Sequence, residues 1–347
     1  MRALVYHGPG DVRCDSVADP DPGAADGAIV HVDSAGICGS DLHIYEGHGF
    51  VESVGYTVGH EAVGVVVEVG SGVRRFRPGD RVMVAAGAGC GVCEGCLTGD
   101  PQECEEGAAI FGIGMGLGGA QAEALAVPGA DMNLMAIDET ITDDQALMLT
   151  DNLPTGWYGA RRADIEPGSV VAVVGVGPVG QMAVESAFAL GASRVLAVDP
   201  VGSRLAAAQS VGAEPVTGDE HVVERVMDAT AGRGADAVVE AVGRDETIRL
   251  ALDVAGPGAT VSSVGVPFSE EISYPLLQAF GRNITFRIGL AEIHQAWPSL
   301  VPLVRSGRLR PERVVTDRMA LSEGAEAYAR FASREDGVMK VVLDPGR

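Results

Sequence analysis

The segment Val170–Gly180 constrains the fold more than any other part of the chain. Five apolar residues, Val170-Val-Ala-Val-Val174, run straight into Gly175-Val-Gly177-Pro178-Val179-Gly180, and an apolar-periodic stretch, Gln181–Leu190, follows. A short, wholly apolar, valine-rich run of this kind suits a strand buried on both faces. A G-x-G-x-x-G turn between strand and helix suits a dinucleotide. Gly175 allows the tight turn, Gly177 lets backbone approach a pyrophosphate, and Gly180 lets helix and strand pack closely. The helix start offers free N–H groups and a partial positive charge to the phosphates. Pro178 fits the first helical turn, where its missing N–H costs nothing. The next strand, Val195-Leu-Ala-Val-Asp199, ends 19 residues after Gly180. A carboxylate there accepts the adenosine ribose hydroxyls and repels a 2′-phosphate, which favours NAD over NADP. Ser203 and Arg204, close by, would tolerate some NADP.

From about residue 168 onward, apolar runs alternate with helical patterns. Val170–Val174, Val195–Val198, Ala237–Ala241 and Thr260–Val264 read as strands; Gln181–Leu190, Arg204–Val211 and Thr247–Ala255 read as helices. Repeated βα units imply a doubly wound parallel sheet. The first 150 residues differ: short apolar runs such as Ala28–Val32, Ala62–Val69 and Arg81–Ala85 are broken by Gly and Asp, as in an all-β or barrel-like module. Residues 107–119 are rich in glycine and read as a flexible loop. Residues 290–347 supply a helix or two and a closing strand, Lys340–Leu343. A length of 347 residues suits about two domains. The expected division is 1–152 with 290–347 against 153–289.

Cys90-x2-Cys93-x2-Cys96-x7-Cys104 is the second strong signal. Four thiolates at short spacing close a tetrahedron around zinc and leave no open position for chemistry, so this is a structural site. An iron–sulfur cluster is the rival, and a disulfide framework is disfavoured in a reducing compartment. The start of the chain has no basic segment followed by an apolar run, and no stretch is long and apolar enough to span a bilayer, so a cytoplasmic location is expected. A formal charge of −23 disfavours nucleic acid and membrane surfaces as partners.

Three further pieces carry metal-ligand residue types: Gly36-Ile-Cys38-Gly-Ser40-Asp41-Leu-His43, Gly59-His60-Glu61 and Leu149-Thr-Asp151-Asn. Each alone has a plainer reading, as a buried thiol, a core histidine or a turn cap. Beside a dinucleotide motif and a four-cysteine lobe, they read together as one metal centre. With these motifs in this order, essentially the whole chain resembles the zinc-containing medium-chain alcohol dehydrogenases, the bacterial secondary-alcohol and polyol branch in particular. The resemblance implies a Rossmann domain plus a GroES-like, mainly β catalytic domain. It also implies two zinc ions per chain and an NAD-dependent oxidoreductase.

What the resemblance implies extends to single residues. Cys38, His60 and Asp151 would bind the catalytic zinc, with Glu61 as an exchangeable ligand. The familiar set is two cysteines and a histidine, and here Asp151 takes the place of the second cysteine. Ser40 would touch the substrate oxygen, and His43 would pass its proton on. Thr155, Val242, Val264, Gly265 and Val266 would meet the cofactor, and Lys340, the one lysine of the chain, would neutralise the pyrophosphate. Gly39 replaces the arginine of the liver-type enzymes. Ser40, Ala86, Phe111, Val266 and Leu290 would line the substrate pocket. The substrate would be a small alcohol or carbonyl, with secondary alcohols or polyols favoured and a polyol, sugar-alcohol or amino-alcohol of a special pathway as the alternative. A non-enzymatic zinc- and NAD-binding relative is the alternative of another class. A homodimer or homotetramer is expected.

Overall fold

The computed structural model describes residues 1–107, 109–334 and 336–347. The chain divides into two compact units, Met1–Asp151 with Glu292–Arg347, and Asn152–Ala291. Among the described residues, no helix is long and apolar enough to cross a membrane.

The Asn152–Ala291 unit is built on a six-stranded parallel sheet. Its strands lie in the order Glu214–Thr217, Arg194–Asp199, Val170–Val174, Ala235–Glu240, Ala255–Ser263, Thr285–Ile288. The chain therefore winds outward from Val170–Val174 in one direction, then crosses back and winds outward in the other. At that reversal the connections leave in opposite directions and open a crevice at the carboxyl ends of the strands, where ligands bind in such sheets. The central strands are β-branched and buried on both faces: Val171, Val173, Leu196, Ala197, Val238, Val239 and Val261 have no exposed surface. Helices Pro178–Leu190, Gly202–Ser210 and Asp245–Val254 connect them. The two outermost strands are absent from the sequence reading. Glu214–Thr217 has a single buried residue and Thr285–Ile288 none, so neither shows an apolar run.

The other unit contains a seven-stranded, mostly antiparallel sheet and a three-stranded one among its described residues. Its central pair is Ala28–Gly36 against Glu61–Val69. The register sets Gly36 opposite Glu61 on one side and opposite Val342 of strand Lys340–Asp344 on the other. Cys38, His60, Glu61 and Lys340, distant in sequence, thus arrive at one end of one sheet.

The glycine-rich stretch 107–119, of which Ala108 lies outside the described residues, is mostly turns and bends, as a loop, with the short strand Ala109–Ile110. It packs on Val58 and Gly59, just before His60. A Cβ on Gly119 would fall 2.2 Å from the Val58 carbonyl oxygen, and one on Gly112 would fall 2.3 Å from that of Gly59. Glycine serves close backbone approach here.

Candidate functional site

Cys38 precedes the short helix Gly39–Tyr45, and its N–H donates to Asp41 Oδ2 at 2.9 Å, which fixes the turn into that helix. His60 stands just before the strand Glu61–Val69, which Glu61 opens, and Asp151 stands just before the helix Asn152–Arg162. Each of Cys38, His60, Glu61 and Asp151 offers one ligand atom, and these atoms all lie within 4.8 Å of one another. Cys38 Sγ is 3.3 Å and His60 Nε2 3.6 Å from Asp151 Oδ2. Ser40 Oγ lies 3.3 Å from His60 Nε2.

The chemistry of this donor set fits zinc: a thiol, an imidazole and carboxylates turned toward one point. Burial, reinforced by the Asp151 charge, pushes the Cys38 thiol up. Burial works to raise Asp151 as well, but the hydrogen bond and charge of His60 outweigh it and hold that carboxyl at about 2. A thiol kept protonated beside an ionised carboxylate requires a cation before it becomes a thiolate ligand.

A supporting chain of polar groups stands behind the cluster. Tyr328 OH donates to Gln121 Oε1 at 2.8 Å, and Gln121 Nε2 donates to Asp41 Oδ2 at 3.1 Å and to the Gly36 carbonyl at 3.0 Å. Asp41 Oδ1 in turn lies 3.3 Å from His60 Nδ1. A carboxylate on that side favours a proton on Nδ1 and leaves the Nε2 lone pair for a metal. Asp41, Gln121 and Tyr328 are all buried. Asp41 was legible as the third residue of a helix start after Cys38; Gln121 and Tyr328 carry no sequence signal.

Lys340 is paired within its own unit. It has no exposed surface, and its ammonium sits 2.6 Å from Glu61 Oε1, itself fully buried. Burial works against the charged ammonium, but the Glu61 carboxylate more than offsets it and raises Lys340. Its charge is thus engaged by Glu61, a member of the metal-type cluster, whereas the sequence reading placed it on a pyrophosphate. His43 is buried on the helix Gly39–Tyr45.

The four-cysteine lobe assembles as expected. Cys90, Cys93, Cys96 and Cys104 bring their sulfurs within 4.8 Å of one another, and all are free thiols. Backbone N–H groups of Cys96 and Glu105 draw Cys93 down to about 6, whereas burial pushes Cys96 up to about 12. Four thiolates coexist at this distance only around a cation.

Behind the lobe, Asn133 exchanges hydrogen bonds with Gly89, the residue before Cys90, and His294 Nε2 lies 3.1 Å from Asn133 Oδ1. Burial lowers His294 to about 4, so it is neutral when folded and takes a proton more readily when unfolded. Its contribution, about 3 kcal/mol, is complete above about pH 6.5 and is lost as pH falls toward 4. Urea titrations of wild type and His294→Gln should therefore diverge over this window, with wild type losing more stability on acidification. Parallel curves would remove the assignment.

In the Asn152–Ala291 unit the glycine motif occupies the turn it was expected to form. Gly175 has φ +82°, and a Cβ on Gly180 would lie 1.9 Å from the Gly175 carbonyl oxygen. A Cβ on Gly177 would have nothing nearer than Arg204 Nη1 at 3.8 Å, so the turn is open where a phosphate would approach. Pro178 is the first residue of the helix, with Val179 next. Asp199 ends its strand, accepting from Val176 N and Val201 N at 2.9 Å each, with Arg204 Nη1 3.7 Å away. Val242 packs against Gly175, and Val264, Gly265 and Val266 follow the strand Ala255–Ser263. Thr155 is half-buried on the helix Asn152–Arg162.

The pocket residues divide between the units. Phe111 departs from expectation: it is fully buried in the core of the first unit, with its N–H on the Ala86 carbonyl, and offers no surface to a substrate. Ala86 is buried beside it; Val266 is half-buried and Leu290 exposed in the second unit.

A family model described as an alcohol dehydrogenase GroES-like domain matches residues 24–138, and one described as a zinc-binding dehydrogenase matches residues 178–306. The chain is 49% identical to a "Probable zinc-binding alcohol dehydrogenase" of Mycobacterium tuberculosis, over 99% of this chain and 89% of that one. It is 30% identical to a sorbitol dehydrogenase of Bacillus subtilis, over 100% of this chain and 98% of the other. An alcohol dehydrogenase from Thermus sp. ATN1 superposes with a TM-score of 0.92 at 40% identity, covering 99% of each chain. Two paired metal-type clusters, a dinucleotide turn at a sheet reversal and this likeness along the whole chain have one common account: the chain belongs to the zinc-dependent medium-chain alcohol dehydrogenases and is an NAD(P)-dependent oxidoreductase of alcohols.

Proposed function

We propose that this chain oxidises a secondary alcohol or polyol with NAD, reversibly, using one catalytic and one structural zinc. The observation that carries the reading is the approach of Cys38, His60, Glu61 and Asp151 donor atoms to within 4.8 Å of one another. Cys38, His60 and Asp151 would hold the catalytic ion, and Cys90, Cys93, Cys96 and Cys104 the structural one. When bound, zinc supplies Lewis acidity toward the alcohol oxygen, and the nicotinamide supplies the hydride acceptor. Ser40 Oγ, beside His60, receives the hydroxyl proton, and His43 hands it toward solvent. Glu61, held by Lys340, is the exchangeable fourth donor. Thr155, Val242, Val264, Gly265 and Val266 position the nicotinamide. Backbone N–H groups of Gly177, Val179 and Gly180 would meet the pyrophosphate charge. The presence of every metal donor argues against a non-enzymatic relative. A dimer or tetramer is the assembly in keeping with this reading.

Metal analysis of the purified protein should find about two zinc ions per chain. Absorbance of NADH, followed with a panel of alcohols, polyols and ketones, should show turnover and rank the substrates. One zinc or none, or no turnover across the panel, removes the proposal.

The preference for NAD rests on Asp199. Asp199→Asn removes its charge, keeps an oxygen for one backbone N–H, and frees Arg204 for a 2′-phosphate. The ratio of kcat/KM for NADP over NAD should rise about tenfold, as expected for loss of one repulsion near 1.4 kcal/mol. An unchanged ratio would sink the ribose assignment.

A further inference from the structure

Glu240 ends the strand Ala235–Glu240 and has no exposed surface, beside a core of mainly apolar side chains. An isolated carboxylate is costly in such a place. This one is fully engaged. Its Oε1 accepts from Val242 N, Gly243 N and Thr247 Oγ1, each at 2.8 Å, and its Oε2 accepts from Ser263 Oγ at 2.7 Å. The donors belong to three segments: the turn after its own strand, the helix Asp245–Val254, and the end of the neighbouring strand Ala255–Ser263. Backbone bonds follow the same seam, from Val264 N to the Glu240 carbonyl at 2.9 Å and from Phe268 N to the Gly243 carbonyl at 3.2 Å.

A buried acid gains little stability over a well-packed apolar residue of similar size. What it does here is fix the spacing of two strand ends, at the carboxyl edge of the sheet and next to the reversal of strand order. The phosphate turn is held by other means: the close contact of Gly180 with Gly175, and the bond from Val176 N to Asp199.

We propose that Glu240 is a positioning residue for the nicotinamide half of the cofactor. It holds the Val242–Gly243 turn and the Val264–Val266 segment at the separation the ring requires, and leaves the adenosine and pyrophosphate half to Gly175–Gly180 and Asp199. This inference rests on the reading of the second unit as an NAD site.

The test compares two ligands by titration calorimetry: NADH, and ADP-ribose, which lacks the nicotinamide. Glu240→Ala should weaken NADH about tenfold and ADP-ribose by less than about twofold, since only the nicotinamide half loses its hydrogen-bonded support. Glu240→Gln should restore most of the loss. Its amide oxygen accepts the three donors of Oε1, and its NH2 donates to a rotated Ser263 hydroxyl. Ser263→Ala removes one donor from the network and should shift NADH alone, by about threefold. If Glu240→Ala fails to fold, the Ser263→Ala comparison decides. Equal weakening of both ligands, or of neither, overturns the proposal. Failure of the wild-type protein to bind either ligand would instead overturn the nucleotide reading beneath it.

Discussion

On the proposed function, replacing His60 with alanine should lower kcat/KM by at least about a thousandfold, roughly 4 kcal/mol of transition-state stabilisation, because the catalytic ion would lose its imidazole ligand. The fold survives this change for a specific reason. Asp41 Oδ2 still accepts from Cys38 N and Gln121 Nε2, so the carboxylate behind His60 keeps both of these hydrogen bonds although Oδ1 loses its imidazole neighbour. Lys340 and Glu61 keep each other paired. The zinc content should fall from about two to about one per chain, since the four-cysteine lobe is untouched. Circular dichroism and metal analysis of the same preparation, beside the NADH assay, separate loss of a ligand from loss of structure. Turnover within tenfold of wild type, or two zinc ions retained, would end the assignment of His60.

The largest expected effect on stability follows Cys96→Ser. Cys96 is buried with its sulfur 3.9 Å from that of Cys90, and a hydroxyl is a poor zinc ligand. The lobe has little else to hold it: a four-residue helix, Glu94–Leu97, and a single 3-10 turn, Pro101–Glu103. Leu97 and Val92 are exposed, so they supply no core. Without its ion this segment should open, at a cost of about 4 kcal/mol or more to the unit that carries it. Thermal unfolding and metal analysis should show a lower melting temperature and one zinc ion fewer, with the catalytic ion retained. An unchanged melting temperature with both ions present would show that Cys96 is not needed to hold the lobe's ion.

The two experiments probe features that differ in how far they can be read in the chain. Val170–Val174 and the glycines after it form strand, turn and helix from contiguous residues, so local pattern suffices. The same holds for Cys90, Cys93, Cys96 and Cys104, whose spacing alone confines the sulfurs. The edge strands Glu214–Thr217 and Thr285–Ile288 escaped because an edge strand buries little and shows no apolar run. The grouping of Cys38, His60 and Asp151 was suggested by their residue types beside the other motifs, but not derivable from spacing, since nothing in one stretch announces the others.

What the sequence determined by itself was the parallel sheet, its phosphate turn and the cysteine lobe, because each depends on neighbours along the chain. The tertiary structure alone decided where Lys340 directs its charge, that Phe111 is core, that Gly112 and Gly119 serve close packing, and which groups support His60 and Glu240. Those outcomes depend on strand register. Gly36 stands opposite Glu61 and Val342 at once, and that alignment joins residues hundreds of positions apart.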